Sequence, residues 1–143
     1  MNVFGLPLHP LVVHAAVMLV PLACLGALTV IISGRARERF GWLTVAFAVA
    51  AAGAAVIAKL SGEALAQSLG GIEPLIATHR QFGELVPYPA IALAIFLPAG
   101  LLIRSRSKPA WVAASVLIVV AAIAGLALVT ITGHSGATAV WGS

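Results

Sequence analysis

Acid is what this sequence has least of: Asp and Glu together number four in 143 residues, against eight Lys and Arg, and charged side chains amount to only 8%. An average soluble domain carries about a quarter. With hydrophobic residues at 62% and a mean hydropathy of +1.12, the chain has too little polar surface for a water-exposed globule, and an integral membrane protein remains. Cysteine is scarce too. Cys24 stands alone, which excludes an intrachain disulfide and any Cys-based metal motif, and its mid-span position suits packing only. The N-terminus lacks the basic stretch and small-residue cleavage site of a secretory signal peptide, so the first apolar run is expected to be retained. No Ser-His-Asp grouping, P-loop or dinucleotide-binding glycine pattern is evident, and hydrolytic chemistry gets little support.

What the sequence does contain is four long apolar runs, Leu11 to Ile32, Trp42 to Leu60, Leu85 to Ile103 and Trp111 to Thr132. Each approaches the roughly 20 residues needed to cross about 30 Å of hydrocarbon. The pattern predicts an all-α, integral membrane four-helix bundle filling residues 1–143 as one domain, with spans of about 10–33, 40–62, 74–103 and 109–133. Arg35, Arg37 and Arg39 fill the expected first loop and Arg104, Arg106 and Lys108 the third, six of the eight basic residues. By the positive-inside rule that side is cytoplasmic and both termini are extracytoplasmic. Topology accounts for these charges, so no nucleic-acid partner is expected.

An internal repeat is visible. RARERFGW (Arg35 to Trp42) and RSRSKPAW (Arg104 to Trp111) share R-x-R-x-(R/K)-x-x-W. HPLVVH from His9 lines up with HRQFGE from His79, and Ser61-Gly62-Glu63 with Thr132-Gly133-His134, at offsets of 69 to 71. Two helical hairpins related by a pseudo-two-fold axis along the membrane normal would produce this. Pro10 suits a first helical position with His9 as cap, and Glu73-Pro74 a helix start before the third span. Pro21, Pro87, Pro89 and Pro98 lie inside spans and are expected to kink them.

Helical rise puts His9, His79, His134 and Glu63 roughly 31 to 36 Å above the cytoplasmic ends, and His14, Glu84 and Lys59 roughly 25 to 28 Å above. The four histidines and Glu63, Glu73 and Glu84 thus share the outer half. Ionisable groups within a membrane are costly and normally face the bundle interior or a watery cavity. Plainer roles exist: His9 and His134 are near enough to the interface to meet water, and Glu84, Lys59 and His14 can simply bond one another. Neutral imidazoles on facing helices also bind haem iron, zinc or copper. His9 with His79, or His79 with His134, has the matching height that a haem needs. His9 and His14 lie about 140° apart round an ideal helix and cannot both address one centre unless His9 leaves the regular helix. An ion site drawn from His9, His14, His79, His134, Glu63 and Glu84, suited to zinc or copper(II), is the alternative.

PLHPLVVH, the histidine entering the third span, and the closing SGATAVWG resemble the bacterial membrane domain-of-unknown-function family two-two-three-one across essentially the whole chain. The resemblance implies a small cytochrome b-like protein of the inner membrane, sometimes joined to Rieske or cytochrome c modules. His9, His14 and His79 match the family's histidine positions and Glu63 an often acidic one, whereas His134 departs from the pattern. The expectation is a b-type haem in the outer half, held by two of His9, His14 and His79, exchanging electrons with a quinol or an extracytoplasmic redox protein. Transition-metal binding or sensing, and a structural subunit without cofactor, are the competing readings. A homo-oligomer is left open.

Overall fold

The computed structural model describes the backbone of residues 2–3, 6–68 and 74–141 and the side chains of 9–67 and 77–138. Its elements are a two-residue antiparallel pair, β1 (Asn2–Val3) with β2 (Leu6–Pro7), then α1 (Leu8–Ile32), α2 (Gly34–Ser68), α3 (Pro74–Gly83), α4 (Pro87–Ile103) and α5 (Lys108–Trp141). Four helical stretches have the length and apolarity to cross a membrane: His9–Ile32, Gly34–Gln67, Ala77–Ile103 and Lys108–Thr138. The expected all-helical, four-span architecture is present.

Small residues decide how the helices meet. Along α1, Val20, Ala23, Cys24, Ala27 and Val30 are buried at spacings of three and four, facing Ala48, Ala51, Ala52 and Ala55 of α2 and Ala121 and Ala122 of α5. In lipid there is no hydrophobic drive between helices, so close backbone approach supplies the packing energy. Gly26 shows how close: a Cβ there would stand 2.9 Å from Thr44 Cγ2, and one on Gly125 2.8 Å from Cys24 Sγ. α1 packs between α2 and α5, and α4 between α5 and α2, with α3 laid on α5. The large apolar side chains outside this core, such as Met18, Leu22, Val49, Ile95 and Val120, are exposed and face lipid.

Three expectations change, and a fourth, a third span disturbed at its prolines, is met. α1 and α2 are separated by Ser33 alone, so Arg35, Arg37 and Arg39 belong to the first turns of α2 and not to a loop. Arg37 folds back to donate Nε to the Val30 carbonyl at 2.9 Å and Nη2 to that of Ile31 at 2.7 Å, closing the end of α1, and its guanidinium lies 4.6 Å from the Trp111 ring centre. α1 starts at Leu8, which makes His9 part of the helix and not its cap. α5 runs on to Trp141, so His134 and the small residues after it are helical. The third span is broken, because Pro87 and Pro89 have no N–H to give the carbonyls of Gly83 and Leu85. Val86 and Tyr88 reach those carbonyls instead, at 3.3 and 3.2 Å, and the chain tightens through Glu84 to Val86. Pro21 and Pro98 stay inside continuous helices. Glu73 lies outside the described residues; α3 does begin at Pro74.

Candidate cofactor site

His9, in the first turn of α1, donates Nδ1–H to the Ala58 carbonyl of α2 at 3.0 Å, with Ser61 Oγ 3.2 Å from the same nitrogen. Ser61 in turn donates to the Ala58 carbonyl at 3.1 Å. Gly62 lies under the ring, where a Cβ would come within 2.8 Å of His9 Cε1. His79 on α3 has the same surroundings: Nδ1–H donates to the Thr132 carbonyl of α5 at 2.9 Å, Ser135 Oγ donates to that oxygen at 3.0 Å, and a Cβ on Gly136 would sit 3.0 Å from the ring. Each imidazole rests on a carbonyl followed three residues later by Ser-Gly.

These bonds fix the tautomer. A carbonyl oxygen only accepts, so Nδ1 carries the hydrogen and Nε2 keeps its lone pair. Among the described residues neither Nε2 has a hydrogen-bond partner. Metal-ligating histidines are held this way, with the second nitrogen committed to a carbonyl that orients the ring.

Both rings line one cavity of about 270 Å³ between the helices, with Lys59 and Glu63 of α2, Arg80 of α3, and Glu84 at the break. Val13, Val17, Val86 and Val129 supply apolar wall. Arg80 and Glu84 are bonded at 2.6 Å, one turn apart. Lys59 lies over the Tyr88 ring at 5.7 Å, and neither it nor Glu63 has an ion-pair partner among the described residues. Thr132 adds a loose end: its Oγ1 is buried without a partner among the described residues. Thr29, Thr44, Thr130 and Thr138 each donate to the carbonyl four residues earlier, whereas Thr132 turns Cγ2 toward Gly83 and leaves its hydroxyl unused.

Two expected ligands are elsewhere. Because α1 is regular from Leu8, the 140° between His9 and His14 holds, and His14 is exposed with Nδ1 on the Pro10 carbonyl of its own helix at 2.6 Å. His134 is exposed on α5 and absent from the cavity wall. Among the described residues no three His, Cys, Asp or Glu side chains converge enough to hold a metal ion, so the six-residue zinc or copper set is not assembled. His9, His79, Glu63 and Glu84 are the expected residues that share the cavity.

The sequence register of the repeat also needs correction. Ser61-Gly62 corresponds to Ser135-Gly136, not to Thr132-Gly133, which is an offset of 74. Ser33 and Ser107, whose Oγ atoms accept from Ala36 and Ala110 at the starts of α2 and α5, share that offset. So do Gly26 against Thr44 and Gly100 against Ile118. His9 and His79 differ by 70, and the four extra residues between His79 and Gly100 include the Glu84 to Val86 break.

A family model for predicted membrane proteins of unknown function matches residues 5–143. The chain belongs to the DUF2231 family. No curated protein and no solved structure matches it. DUF2231 membership and the four apolar helices agree on a multi-pass membrane protein associated with the lipid bilayer.

Proposed function

We propose that this DUF2231 protein holds one b-type haem between His9 and His79 in the outer half of the bacterial inner membrane, and passes electrons between a quinol and an extracytoplasmic redox partner. The observation that carries this reading is the duplicated imidazole platform: two rings from separate hairpins, each with Nδ1 tied to a carbonyl and Nε2 free, on one apolar-walled cavity. His9 and His79 would be the residues to hold a haem iron, whereas a small ion would want a third or fourth ligand. A porphyrin exceeds 270 Å³, so the cavity would have to widen to take one.

When bound, the haem supplies reversible one-electron transfer. The chain's own residues do the rest. Ala58 and Thr132 carbonyls hold the two rings in the tautomer that presents Nε2. The apolar residues Val13, Val17, Val86 and Val129 would line a bound macrocycle and, by lowering local polarity, would favour the less charged, reduced state. Glu63, without an ion-pair partner among the described residues, would take a proton released by a quinol. The basic residues at the opposite end orient that side to the cytoplasm.

The cavity volume favours a second reading, in which a single quinol ring occupies the space and its hydroxyls donate to the two Nε2 atoms. Purification from haem-replete cells separates them. One haem per chain with a Soret band is expected; a colourless protein carrying extractable quinone would overturn the haem assignment.

A further inference from the structure

Charge along the cavity wall is not balanced in pairs. Arg80 and Glu84 neutralise each other at 2.6 Å. Lys59, half-buried within a membrane-spanning helix, has among the described residues only the face of Tyr88 at 5.7 Å, although Glu63 stands one turn further along the same helix and lines the same cavity. An ammonium at this depth is expensive to keep and is normally found against an anion or water. Its backbone position is informative: Lys59 follows Ala58, the residue whose carbonyl holds His9. An occupant reaching His9 Nε2 shares the cavity with this cation, because His9 and Lys59 both line its wall.

We propose that Lys59 is the counter-ion for a carboxylate of the cavity's occupant, which under the haem assignment is one propionate. The inference rests on that assignment. A b-type haem presents an apolar macrocycle to the valine and alanine walls and carries its negative charge on two propionates. Arg80 already has Glu84, so Lys59 is the cation available to one of them. Binding replaces the weak ring contact with a charge-assisted hydrogen bond. Lys59 then sets the orientation of the macrocycle, since only one edge of it is acidic, and acts as a positioning and specificity residue, not a ligand to iron.

The test is a binding cycle on the purified full chain, titrated with haem and with haem whose two propionates are methyl esters, each followed by the Soret band. The wild type is expected to bind free haem about tenfold more tightly than the diester. Lys59→Met is expected to bring that ratio below about twofold while both porphyrins still give the bis-imidazole spectrum. Lys59→Arg should keep the preference. Comparing ratios cancels the different solubilities of the two porphyrins in detergent. A wild type that binds both equally, or a Lys59→Met protein that keeps the full preference, overturns the role of Lys59 while leaving the haem assignment standing. If neither porphyrin develops the bis-imidazole spectrum, both are overturned. The wild-type comparison needs no variant to fold.

Discussion

At the residue scale the account turns on two glycines and a threonine. A methyl group at Gly62 or Gly136 would enter the space of the His9 or His79 ring, and overpacking of this kind costs about 1–3 kcal/mol. Gly62→Ala and Gly136→Ala are therefore expected to lower the melting temperature and weaken haem uptake, each by displacing one ring from its carbonyl. Gly53 and Gly133 provide the control, because a Cβ at either meets nothing within 4 Å. Ala there should be neutral or stabilise by up to about 1 kcal/mol through helix propensity. Thermal melts of the four variants side by side decide the matter. Thr132→Val removes the buried hydroxyl without a partner and should raise the stability of the ligand-free protein by about 1 kcal/mol. The histidines themselves were legible, since imidazole is rare inside apolar runs. The seats beneath them were not: Ser-Gly is a common dipeptide, and an offset of 74 shows only once the four-residue excess around the α3–α4 break is known.

Among the helices, the clearest dependence is on Arg37. It satisfies two carbonyls at the end of α1 and stacks on Trp111 of the other hairpin, which ties the two halves together at the basic end. Charge-assisted bonds of this kind, with the cation–π contact, are worth about 2 kcal/mol or more together. Arg37→Met should lose that in a denaturation series, and Arg37→Lys should recover only part, because an ammonium cannot fork to two carbonyls while also lying over an indole. The sequence showed three arginines and implied topology. It did not separate the one that closes a helix from Arg35 and Arg39, which are exposed, because a one-residue connection at Ser33 leaves no signature in composition. The four spans were readable from hydropathy, and the break in the third followed from Pro87 and Pro89, although its site at Glu84 to Val86 required the backbone.

For the whole molecule, two hairpins bring one imidazole each to a shared cavity near one end, and the basic residues gather at the other. The orientation proposed above rests on that polarity and the positive-inside rule. With Cys24 fully buried, single cysteines report cleanly: Thr138→Cys is expected to react with a membrane-impermeant maleimide on intact cells and Ser105→Cys only after lysis, and the reverse pattern would invert the topology. The convergence of His9 and His79 could be anticipated from matching heights. The turning away of His14 followed from helix geometry once the start of α1 was known. The most direct test of the central claim is the spin state of the ferric protein by electron paramagnetic resonance. Two imidazoles on one iron predict a low-spin signal in the wild type that His14→Ala preserves and that His9→Ala and His79→Ala each convert to high spin or abolish. A low-spin signal that survives loss of either His9 or His79 would contradict it.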